Sequence, residues 1–81
     1  MKLDMNIART QVRDAITEIV GRRIQDSESI VSSGLIDSLT VVQLITQLEQ
    51  KLNVAIPPES LQPDDFDSVD VILETLQRVA Q

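Results

Sequence analysis

A small all-α bundle is the fold class that this sequence predicts, and three observations carry it. Stretches near residues 5–20, 38–52 and 68–80 each repeat apolar residues at spacings of three and four, as one face of a helix requires. None of the chain shows the apolar/polar alternation of a half-buried strand. Residues suited to ending or starting helices, Gly21, Asn53 and Ser68, fall where those stretches meet. Eighty-one residues make one small domain, 1–81, with room for a single core and none for a second layer around a deep cleft. Phe66 is the only aromatic, so the core must be built from Leu, Ile, Val, Ala and Met.

The first helix is expected from about Asp4 or Asn6 to Val20. Met5, Ala8, Val12, Ile16, Ile19 and Val20 share its apolar face, while Arg9, Arg13, Asp14 and Glu18 fall largely on the other side. Gly21 supplies the stop, because it tolerates the left-handed conformation that follows many helix ends. From Arg22 to Ile36 no period is sustained. This segment reads as a long loop pinned to the core by Ile24, Ile30, Val31, Leu35 and Ile36, and loops of that length in compact domains are usually functional.

A central helix follows from Ser38 to about Leu52, with Val41, Leu44, Ile45, Leu48 and Leu52 as its buried stripe. Leu39, Val42, Gln43, Thr46 and Gln50 turn outward, and two of these five are apolar. Asn53 can end the helix, and Val54-Ala55-Ile56 is extended ahead of Pro57. Short helical turns are expected from Pro57 through Leu61 and from Pro63 through Phe66, proline being suited to a first helical position. The last helix opens at Ser68 as N-cap, with Asp70 in its first turn, and buries Val69, Ile72, Leu73, Leu76, Val79 and Ala80.

The functional signal lies at the start of the central helix. Asp37 and Ser38 stand where unpaired backbone N–H groups and the positive end of the helix dipole favour an oxygen ligand or a phosphate. A serine nucleophile normally needs an adjacent base, and the chain has neither His nor Cys. The Ser38 hydroxyl is therefore read as a substrate for modification by another enzyme. Lack of Cys and His also argues against a disulfide scaffold and a zinc site. Thirteen acids against seven bases give a net charge of −6, which opposes nucleic-acid binding. The acids Glu59, Asp64, Asp65, Asp67 and Asp70 read as a solvated acidic face that matches no calcium loop. No apolar run approaches the length of a membrane span, and the N-terminus lacks the features of a secretory signal, so a cytoplasmic protein is expected.

Gly34-Leu35-Ile36-Asp37-Ser38-Leu39 resembles the attachment motif of acyl and peptidyl carrier proteins. Nearly the whole chain follows that family's order: long helix, long loop, Asp-Ser-Leu opening a second helix, a short third helix and a fourth. The resemblance implies a four-helix bundle of the acyl-carrier type, three long helices plus a short third one. It implies that Ser38, with Asp37 beside it, carries covalent 4′-phosphopantetheine, whose thiol holds an acyl or aminoacyl group as a thioester. It places partner-facing positions at Leu39, Val42, Gln43 and Thr46, and core positions at Leu44, Leu48 and Leu52. The protein would then be no enzyme but a monomeric carrier. Its partners would be a phosphopantetheinyl transferase, an adenylating ligase or acyltransferase, and downstream acyl-accepting enzymes.

One departure bears on cargo. Carriers of bacterial fatty acid synthesis have a strongly acidic second helix, whereas Glu49 is the only acid here. The segment from Ile56 to Ser68 is more similar to D-alanyl carriers and stand-alone aminoacyl or peptidyl carriers, which points away from main fatty acid synthesis. An alternative stays open: Ser38 is a plain capping serine, and the chain is an unmodified helical adaptor that docks a partner through Leu39 and Val42. Gly34, the helix order and the position of that apolar pair beside Ser38 favour the carrier.

Overall fold

A computed structural model describes residues 4–57 and 62–79. Three α-helices, α1 (Met5–Val20), α2 (Ser38–Leu52) and α3 (Val69–Val79), are joined by the long loop and by a 3-10 turn at Pro63–Phe66. No strand occurs among the described residues. The expected turn from Pro57 to Leu61 falls mainly on residues 58–61, outside the described residues, as do Glu59 and Ala80.

Local chemistry sets each boundary. Asp4 caps α1 by accepting from the Asn6 and Ile7 N–H groups at 2.9 and 3.3 Å, and Gly21 ends it at φ 85°, donating to the Thr17 carbonyl. Asn53, at φ 54° and ψ 49°, gives α2 the same left-handed ending. The Ser68 hydroxyl accepts from the Val71 N–H at 3.1 Å at the start of α3.

Helix α1 packs against both α2 and α3, and the 3-10 turn packs against α3 and touches α2. The core between them takes Ala8, Val12, Ala15 and Ile16 from α1, Val41, Leu44 and Leu48 from α2, and Val69, Ile72, Leu73 and Leu76 from α3. Phe66 is wholly buried among them. Two buried residues went unassigned by sequence. Ala15 lies in phase with Ala8 and Val12, and Thr75 lies in phase with Ile72 and Val79, its hydroxyl donating to the Asp65 carbonyl at 2.8 Å.

The long loop is pinned as expected by Ile24, Ile30 and Ile36, all buried, with Val31 partly so. Leu35 does not help: it is 38% exposed, carried outward by a bend in which Gly34 takes φ 85°. The rest of the attachment is polar. Arg13 forks onto Asp26 with two 2.9 Å bonds, and Arg9 joins Asp26 at 2.6 Å to Asp70 at 2.9 Å, tying α1, loop and α3 together. The Arg13 guanidinium, with Arg9 beside it, holds the Asp26 carboxyl below its ordinary range against the opposing effect of burial.

This corrects the reading of an unrelieved acidic face. Asp70 pairs with Arg9, and Asp65 pairs with Arg78 at 3.4 Å while accepting from the Gln62 N–H. Asp67 is a hydrogen-bonding centre for the loop. Gln47 is half-buried, with its Oε1 buried and unpaired among the described residues.

Candidate functional site

Ser38 is the first residue of α2 and is exposed. Asp37 precedes it in extended conformation as the N-cap, and its Oδ1 accepts from both the Thr40 N–H at 2.8 Å and the Thr40 hydroxyl at 2.9 Å. Those two bonds hold the Asp37 carboxyl below its ordinary range, so it is charged at neutral pH. The Val41 N–H goes to the Asp37 carbonyl at 3.0 Å. One of the first-turn donors expected to greet a phosphate, the Thr40 N–H, is therefore engaged by the Asp37 side chain, and the Val41 N–H makes the first bond of the helix itself. Asp37 serves as the fastener that starts α2 at Ser38, and the hydroxyl projects from a fixed point of the backbone into solvent.

The expected partner-facing residues gather beside it. Leu39 is 77% exposed and Val42 59%, and Gln43 and Thr46 are exposed on the next turn, with the Thr46 hydroxyl returned to the Val42 carbonyl. Exposed apolar side chains of that size in one place mark an interaction surface more readily than the same residues scattered singly. Leu35, exposed three residues upstream of Ser38, departs from the core position expected of it; the local signal of the outward bend is Gly34, which takes φ 85° just before it.

An open groove of about 530 Å³ begins at Ser38 and follows one stripe of α2, past Val41, Val42, Ile45 and Thr46 to Glu49. Ile56 and the start of the 3-10 turn, Gln62 and Pro63, form its other wall. Its lining is mainly apolar, as small-molecule clefts generally are. Glu49, the only acid of α2, accepts from the Ile56 N–H at 3.0 Å and so anchors the linker that makes this wall.

Chemically, the site offers one exposed hydroxyl, a helix start capped by Asp37 and an apolar flank, in a chain whose sequence has no His to serve Ser38 as a base. The residues fit a phosphopantetheine arm: the hydroxyl is open to esterification and an apolar groove leads away from it. Comparison with known proteins agrees. The family described as "Phosphopantetheine attachment site" matches residues 10–78. The D-alanyl carrier protein of Lactobacillus delbrueckii subsp. bulgaricus is 24% identical over 71 residues, 85% of this chain and 89% of that protein. Those of Listeria welshimeri and Streptococcus sanguinis are 27% and 26% identical, covering 80% and 82% of this chain and 92% and 86% of their own lengths.

Proposed function

The chain belongs to the phosphopantetheine-attachment family, and we propose that Ser38 is the serine that carries the group. As a member it is a carrier, not an enzyme: it holds acyl groups and delivers them to partner enzymes such as transferases and ligases. Bound at Ser38, 4′-phosphopantetheine would supply the thiol on which the acyl group rides as a thioester. The chain's own residues do the rest. Asp37 fixes the helix start, Leu39, Val42, Gln43 and Thr46 offer a docking face to whichever enzyme acts on Ser38, and Val41, Ile45 and Ile56 give the arm an apolar flank.

The single observation that carries this reading is the exposure of Ser38 at the first position of α2, between the apolar Leu35 and the apolar pair Leu39 and Val42. The cargo we propose is a small aminoacyl group, loaded by an ATP-dependent adenylating ligase, and the setting lies outside main fatty acid synthesis. Two observations support it: the relatives above are D-alanyl carriers, and Glu49, half-buried and bonded to the linker, is the only acid of α2. Among the described residues no helix is long and apolar enough to cross a membrane. We take the protein to work in the cytoplasm as a monomeric single carrier domain, where coenzyme A and ATP are at hand.

The test is modification. Incubation of the apo protein with coenzyme A and a broad-specificity phosphopantetheinyl transferase should add one phosphopantetheine, mapped by peptide mass to Ser38. Ser38→Ala should abolish the mass shift and leave the helical circular dichroism unchanged. An unshifted wild-type mass, with the transferase proven on a control carrier, would favour the unmodified adaptor and overturn the assignment.

A further inference from the structure

The loop that leads into Ser38 has no regular structure, yet its last turn is closed by backbone hydrogen bonds. Ile36 N–H donates to the Ile30 carbonyl at 2.9 Å and Gly34 N–H to the Val31 carbonyl at 3.0 Å, so residues 30–36 close into a compact bend. The Ser33 hydroxyl adds a bond to the Ser29 carbonyl at 2.6 Å. The bend sends Ile30 and Ile36 into the core and Leu35 outward.

One residue outside the loop holds this bend. The Asp67 carbonyl accepts from the Ile30 N–H at 2.7 Å. Its Oδ1 accepts from the Val31 N–H at 2.8 Å, the Ser32 N–H at 2.9 Å and the Ser29 hydroxyl at 2.9 Å, and its Oδ2 accepts from the Ser32 hydroxyl at 2.7 Å. Charge-assisted bonds of this kind are about twice as strong as neutral ones, and four converge on one carboxylate. Asp67 directly precedes Ser68, the cap of α3, so the bend hangs from the start of that helix.

The consequence concerns recognition. An enzyme acting on Ser38 meets Leu39 and Val42 downstream of it and Leu35 upstream. Helix α2 fixes the downstream pair relative to Ser38 through its own hydrogen bonds. The place of Leu35 depends on the bend. We infer that Asp67 is a positioning residue for the carrier's reaction with its partner enzymes, setting Leu35 in register with Ser38 from the opposite side of the loop. This rests on Ser38 being the attachment serine.

A double-mutant cycle on the full chain tests it, with the carrier as varied substrate of the phosphopantetheinyl transferase and coenzyme A saturating. Leu35→Ala and Asp67→Asn should each raise the KM for the carrier by about tenfold with kcat little changed, and the double variant should be no worse than either alone, because a misplaced Leu35 has nothing left to lose. Asp67→Asn keeps the size and one acceptor and so is expected to fold; Thr75→Val removes the hydroxyl bond to Asp65 without touching the loop and serves as the stability control. Thr75→Val should lower the melting temperature without altering KM. Additive KM effects of Leu35→Ala and Asp67→Asn, or an Asp67→Asn KM equal to wild type, would overturn the inference while leaving Ser38 as the attachment site. Failure of the wild type to be modified would overturn both.

Discussion

Acid should dissolve the Asp67 contact, and its size follows from the hydrogen bonds. Burial pushes the Asp67 carboxyl upward, but the Ser32 N–H, the hydroxyls of Ser32 and Ser29 and the Val31 N–H outweigh it and bring the group from an ordinary 3.8 down to about 2. A carboxyl lower in the folded than in the unfolded chain stabilises the fold above the unfolded value and ceases to do so as pH falls through the folded one. The contribution is therefore complete above about pH 4 and lost by about pH 2. At about 1.4 kcal/mol per pKa unit, and allowing for partial solvent contact, it amounts to about 2 kcal/mol. Total stability for a chain this size is on the order of 4 to 12 kcal/mol. Urea melts followed by circular dichroism at several pH values check it. Wild type should exceed Asp67→Asn by about 2 kcal/mol at neutral pH, and the two curves should converge near pH 2. Asp26, Asp37 and Glu28 are lowered too and will weaken both proteins in acid, so the difference between the curves isolates Asp67. A constant gap across the whole range, or none at neutral pH, would refute the assignment of ionic hydrogen bonding to this carboxylate.

Two further outcomes follow from the helix phase and the docking face. Leu48→Ala, at a wholly buried position of α2, should cost about 2 to 5 kcal/mol in urea melts, whereas exposed Gln43→Ala should change stability by less than roughly 0.5 kcal/mol. Loading of the holo protein by an adenylating ligase should slow on Leu39→Ala or Val42→Ala and change only modestly between low and physiological salt, measured as thioester formed per unit time; a steep salt dependence would mean that charge dominates the contact.

What the sequence disclosed was local, and what it hid was contact at a distance. The bounds of α1 and α2 were readable because Gly21 and Asn53 act within a turn of the residues they cap. Ser38 was readable for the same reason, as a hydroxyl next to a capping Asp at the head of an apolar-striped run. Asp67 was not, since its donors lie 35 to 38 residues away and nothing near it in the chain distinguishes it from Asp64. The available hint was on the other side: Ser29, Ser32 and Ser33 fall between buried Ile24 and Ile36, a run of short hydroxyl side chains suited to bonding a nearby carboxylate. Arg9 and Arg13 were placed by helix phase toward solvent, but their long side chains can lie along the surface to reach Asp26. Thr75 was legible in principle, because it falls on the apolar phase of α3, and was overlooked only for being polar.

The disposition of charge gives the docking face its character. A net charge of −6 on a small chain would be expected to steer association strongly. That charge sits mostly off the outward face of α2: Asp26 and Asp70 lie against arginines of α1, Asp65 against Arg78, Asp67 at the loop bend, Asp37 at the helix cap and Glu49 against the linker. Along α2 the outward groups are Leu39, Val42, Gln43, Thr46 and Gln50, with Lys51 at the far end. Such a surface gives a partner little long-range attraction and little to repel it. Discrimination must then come at contact, where two apolar side chains and their amide neighbours either fit or leave polar groups unpaired. Fit of that kind depends on fixed geometry, and both approaches to Ser38 are fixed: Asp37 caps α2 on one side, and Asp67 holds the bend on the other.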